Sequence, residues 1–118
     1  RYGIEAMERL VNALVKRGAT RRTLDAKVFG GAALIQGPGS LHVGERNTRF
    51  VLDYLRDHEI TLVSKDVLGS SPRKVCFFPH TGRVMVRRLP PTQAGLVLSL
   101  EREARRKVSA ATNFTDLL

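Results

Sequence analysis

The hydrophobic period changes along this chain, and that change constrains its fold more than any single motif does. Ile4, Met7, Leu10, Val11, Leu14 and Val15 recur at three- and four-residue spacing, which predicts an amphipathic helix over residues 3–17. Gly18 stands where helices commonly stop. Over 24–29 the period drops to two, with Leu24, Ala26 and Val28 alternating against Asp25, Lys27 and Phe29, and a strand is expected. A second helix is expected over about 45–58, with Phe50, Val51, Tyr54 and Leu55 on one face. The run ITLVSKDV, 60–67, reads as the next strand, and GSSP at 69–72 breaks it. RKVCFF and RVMVRRL then flank PHTG, the signature of a hairpin that Pro90 and Pro91 close. The segment LSLEREARRKVSAA reads as a helix, with Glu101–Arg105 and Glu103–Lys107 spaced to pair one turn apart. A chain that switches period in this order is α/β: helices packed on β-sheet, with a C-terminal antiparallel hairpin.

At 118 residues the chain can bury one modest core. It has no apolar run of the roughly 18 residues that a membrane span needs, so no membrane insertion is expected. RYGIEAMERL is charged and amphipathic, unlike a signal peptide. A lone cysteine, Cys76, allows no internal disulfide and suits a reducing cytoplasm. The start at Arg1, without an initiator Met, reads as a fragment or a processed chain. A net charge of +9 raises the question of nucleic acid. The basic residues are spread, however, and most aromatics fall at periodic positions expected in the core, whereas base stacking needs them exposed beside the charge. The balance favours a solvated basic surface, or one that meets an acidic protein partner.

The most permissive backbone is AKVFGGA, followed by ALIQGPGSLHVGERN. The pattern matches neither GxGxxG nor GxxxxGK[ST], and no lysine is placed to meet a phosphate. Gly30 and Gly31 are therefore read as letting a strand turn sharply or another backbone pass close. Cys76 and His80 invite a nucleophile–base reading, but four strand residues span roughly 13 Å, far beyond the hydrogen-bond reach that a base requires. Cys76, between Val75 and Phe77, is read as a small apolar filler. His42 and His58 are isolated, the second in a helix's last turn where imidazole suits the dipole, and no pair of ligands has zinc spacing. Asp66 precedes a glycine-containing loop, the place of a catalytic acid or of a turn cap. Arg46 and Asn47 open the second helix, where they can bond neighbouring loops or simply start the helix. Neither pair of alternatives is decided by the residues.

Taken in order, RYGIEAMERLVNALVKRGA, LDAKVFGGA, VGERN, ITLVSKD and PRKVCFFPHTGRVMVRRL resemble the CheD chemoreceptor glutamine deamidases over residues 1 to about 89. The resemblance implies a layered α/β sandwich, with residues 1–89 as the deamidase domain and 90–118 as a variable, partly helical tail. It implies hydrolysis of a chemoreceptor glutamine to glutamate by a cysteine hydrolase: a thiolate attacks the carboxamide, ammonia leaves, and water cleaves the thioester. No cofactor or metal is expected. A methyl-accepting chemoreceptor is the implied partner, with a CheC-type phosphatase as a further one. The family's catalytic Cys follows a Gly-Ser, and both it and the catalytic His precede the first helix; residues 1–118 contain neither motif. No catalytic residue is assigned, this chain alone is expected to be inactive, and a silent partner-binding module is the alternative reading. Gly30, Gly31, Arg46, Asn47 and Asp66 are the residues expected at or behind the cleft.

Overall fold

A computed structural model of the chain describes residues 2–33, 42–90 and 94–110. The elements run α1 (Tyr2–Lys16), β1 (Asp25–Gly30), α2 (Val43–Asp57), β2 (Thr61–Val67), β3 (Arg73–Phe78), β4 (Arg83–Arg88) and α3 (Ala94–Ala110). Helices on sheet, a mixed element order and a C-terminal antiparallel hairpin make the fold α/β, as the change of period predicts. The chain divides into two compact units, Arg1–Gly69 and Ser70–Leu118.

In the first unit α1 ends as its sequence dictates. Gly18 takes φ 105°, its N–H donates to the Val15 carbonyl at 3.0 Å, and Ala19 N–H donates to Leu14 at 3.1 Å. These bonds satisfy carbonyls that the helix end would leave orphaned. β1 and β2 pair in parallel, with α2 as the crossover packed on both strands. Leu24, Ala26 and Val28 turn towards a core of Val11, Tyr54, Leu55 and Ile60, joined by Met7, Phe50 and Val51. Both predicted faces, the α2 face and the β1 alternation, meet there. Ile4 and Val15 lie at the margin of the α1 stripe and are exposed. On β2, Leu62 and Val63 are also exposed.

In the second unit β3 and β4 form the predicted hairpin, in register from Arg73↔Arg88 to Phe78↔Arg83. Gly82 (φ 73°) closes the turn, its N–H donating to Phe78 at 2.8 Å. Two expectations are corrected here. Cys76 is exposed rather than a core filler, and Phe77 (58%) and Phe78 (45%) are exposed rather than buried. A hairpin's apolar positions are core only where another layer covers them. Ala94–Ala110 is helical, and the rest of the segment after Pro90 falls outside the described residues, as do the side chains of Arg105 and Lys107 and so the two i,i+4 pairs.

Candidate functional site

Gly30, Gly31, Asp66 and the start of α2 that carries Arg46 and Asn47 lie at one end of the parallel pair, the carboxyl ends of β1 and β2. Open α/β sheets place their crevices there. Both strands leave the sheet through left-handed backbone: Gly30 (φ 107°), Gly31 (φ 74°), Leu68 (φ 67°) and Gly69 (φ 75°). Leu68 N–H donates to the Gly30 carbonyl, and Ala33 N–H donates to Gly69, each at 2.8 Å. The two exits are thus tied to each other through backbone hydrogen bonds.

The amino end of α2 presses against this junction. A Cβ built on Gly31 would collide with the Thr48 Oγ1 and lie 3.0 Å from the Gly44 carbonyl oxygen. One built on Gly44 would collide with the Gly31 carbonyl, 2.6 Å from its carbon, and lie 3.0 Å from the Ala32 oxygen. Gly31 and Gly44 therefore serve mutual close approach, the packing reading of FGGA. Gly30 differs: it has open space around it and is needed for its φ. The loop ALIQGPGSL, 33–41, lies outside the described residues from 34 onwards.

Around that contact, Arg46 and Asn47 are exposed, while Thr48 beside them is buried and faces Gly31. Sequence reasoning missed Thr48, since a threonine in a helix's first turns carries no signal by itself. The signal available was its place, four residues after Gly44. Asp66 is half-buried within β2, opposite Phe29, and the left-handed turn falls at Leu68. His42 caps α2 in the left-handed region (φ 50°), with Glu45 3.9 Å from it and 3.6 Å from Arg49, all exposed. A helix start beside strand ends carries the positive end of its dipole there. Among the described residues, no group of three or more His, Cys, Asp and Glu is placed to hold a metal ion.

Cys76 and His80 belong to the other unit. The thiol is cross-strand from Met85, and His80 lies in the turn beyond β3, exposed.

At the carboxyl end of α2, His58 stacks on Tyr54 with centroids 3.9 Å apart, and its Nδ1 lies 2.9 Å from the Tyr54 carbonyl oxygen. That contact makes Nδ1 the protonated nitrogen, capping a helix carbonyl. Tyr54 donates its hydroxyl to Glu8 Oε1 at 3.1 Å, tying α2 to α1. Burial first, and then the Glu8 carboxylate, push the Tyr54 phenol above its ordinary value of 10.0, with Arg21 opposing. The folded state thus holds a proton that the unfolded chain releases near 10.0. This stabilisation is complete below that pH and is lost as pH rises above it. Tyr54→Phe is expected to cost about 1 kcal/mol at neutral pH through the lost hydrogen bond, and to flatten the alkaline limb of a stability–pH curve. Urea midpoints from pH 8 to 11 check both.

Over residues 1–88 the chain matches the family described as CheD chemotactic sensory transduction. It is 61% identical over 89 residues to the probable chemoreceptor glutamine deamidase CheD 1 of Albidiferax ferrireducens, covering 75% of this chain and 38% of that protein. It is 48% identical over 111 residues to the probable chemoreceptor glutamine deamidase CheD of Xanthomonas campestris pv. campestris, covering 94% and 56%. A relative of the same name from Ralstonia pickettii is 48% identical over 109 residues, covering 92% and 46%. The chain spans between 38% and 56% of the length of these three relatives.

Proposed function

The chain belongs to the CheD family, and from that premise we propose that it forms part of a chemoreceptor glutamine deamidase. One observation carries the reading furthest: AKVFGGA and VGERN, separated in sequence by residues 33–42, meet backbone to backbone through Gly31 and Gly44 at the carboxyl ends of the sheet. The names of the relatives supply the substrate class, a receptor glutamine converted to glutamate. In this reading Gly30 and Gly31 shape the crevice wall, and Arg46 and Asn47 stand exposed at its rim. Asp66 lies behind it in β2, and the start of α2 orients the carboxamide oxygen.

The partner is a methyl-accepting chemoreceptor, with a CheC-type phosphatase as a second, and the setting is the cytoplasm. No helix among the described residues is long and apolar enough to cross a membrane, which fits that setting. The nucleophile of the cysteine-hydrolase chemistry is not Cys76, which lies exposed on a strand opposite Met85. That observation also favours the second reading, in which residues 1–118 act as a silent module that keeps the partner-binding surface.

The test is ammonia release from a chemoreceptor fragment, with glutamine-to-glutamate conversion followed by mass spectrometry. The full-length protein is expected to turn over. Residues 1–118 alone are expected to release no ammonia above background, and Cys76→Ser in the full-length protein should leave its rate unchanged. A full-length protein without activity would favour the silent module. Activity lost on Cys76→Ser would make the hairpin thiol the nucleophile.

A further inference from the structure

The hairpin carries Arg73, Lys74, Arg83, Arg87 and Arg88, with no aspartate or glutamate between its ends. Residues directly opposite in an antiparallel pair share a face. One face therefore presents three rungs: Lys74 with Arg87, Cys76 with Met85, and Phe78 with Arg83. All of these residues are exposed, Met85 at 54% and Phe78 at 45%. Like charges directly opposite destabilise a hairpin, and the Lys74–Arg87 rung places two cations so. Nothing in hairpin formation calls for that arrangement. A partner that supplies anions does.

We propose that this face is a docking surface for an acidic amphipathic helix of another protein. Rungs on alternate strand residues lie about 6.6 Å apart, and residues four apart on a helix rise about 6.0 Å. A helix with Glu, Leu and Glu at successive four-residue steps sets a carboxylate on Lys74 and Arg87, the leucine on Cys76 and Met85, and a carboxylate on Arg83. The thioether of Met85 adapts to such an apolar contact. Single-stranded nucleic acid fits less well: Phe77 and Phe78 are both exposed, but adjacent strand residues point to opposite faces, so the rings form no continuous stacking platform. A second copy of the chain would bring the same cations to the same face. The inference stands independently of the deamidase reading.

The probe is a fluorescent synthetic helix-forming peptide repeating Glu and Leu at those steps, titrated with the 118-residue chain and read by anisotropy. Binding is expected, weakening roughly tenfold between low and physiological salt. Lys74→Glu turns the like-charged rung into an opposite pair, so it should raise the melting temperature while weakening binding at least tenfold. Met85→Asp should weaken binding as much. Arg22→Glu, the same charge change on an exposed residue of the first unit, should leave binding within about twofold. A proline-interrupted peptide of equal composition should not bind. Equal losses from Arg22→Glu and Lys74→Glu would reduce the effect to net charge and overturn the proposal, as would absence of binding. Tighter binding of a single-stranded oligonucleotide, lost with Lys74→Glu, would reassign the face to nucleic acid.

Discussion

Gly44→Ala is expected to destabilise the first unit by about 3 kcal/mol or more, against the ordinary preference of a helix for alanine over glycine. In an open helix position the same change stabilises by roughly 1 kcal/mol. What reverses the sign is backbone. The new methyl group would collide with the Gly31 carbonyl and lie 3.0 Å from the Ala32 oxygen, and neither can swing aside as a side chain would. Those carbonyls belong to the segment tied to β2 through Leu68–Gly30 and Ala33–Gly69. Relief therefore requires α2 to lift from the strand ends. Gly31→Ala should cost a similar amount for a different mixture of reasons. Its φ of 74° penalises any side chain, the Gly44 oxygen is close, and only the Thr48 contact can relax by rotation. Gly95→Ala in α3, with nothing near its added carbon, is the control and should stabilise modestly. Chemical denaturation of the three variants decides the matter. A Gly44→Ala protein as stable as the parent would mean that the helix start and FGGA do not touch.

How far the sequence reveals this arrangement depends on whether the signal is local. The switch of hydrophobic period located every described helix and strand to within a few residues, because Val11, Tyr54 and Leu55 repeat on faces that a single element defines. The α1 stop was legible because a glycine occupies it. The α2 stop has the same bonding pattern without the glycine: Glu59 takes φ 56°, and Ile60 N–H donates to the Leu55 carbonyl at 2.9 Å. Only the helical periodicity marked that boundary. Pairing is non-local, so the parallel arrangement of β1 and β2 had no signature in either strand. Burial is non-local too. Phe77 and Cys76 look like core residues within their own strand, yet both are exposed among the described residues, which no pattern within the strand reveals. At the strand ends, the glycines were legible as a need for space, but the partners that use the space, Gly44 and Thr48, became visible only in three dimensions.

Leu55→Ala is expected to cost about 2–5 kcal/mol, the other large effect in the first unit. Domain stabilities lie around 5–15 kcal/mol, so this one change removes a large share. The reason is how few of the described residues carry the core of this unit. Val11, Tyr54, Leu55 and Ile60 are its buried hydrophobic members, at 3%, 5%, 4% and 7% exposure, and no described side chain is below 2%. A core this thin has little neighbouring mass to close over a cavity. Leu55 also lies under the α2 terminus, where its carbonyl receives Ile60 N–H and both side chains are buried together. Truncation therefore opens a cavity and weakens the contact that fixes where α2 ends and β2 begins. Val63→Ala, on a β2 residue 52% exposed, should cost well under 1 kcal/mol. The two ends of α2 should then separate by readout. Leu55→Ala lowers stability while folded molecules keep the contact of α2 with the strand ends, so under the proposed deamidase reading activity per folded full-length molecule should hold. Gly44→Ala displaces the helix start itself, so activity should fall further than the loss of folded protein explains. A loss below about 1 kcal/mol for Leu55→Ala would place the stabilising core elsewhere.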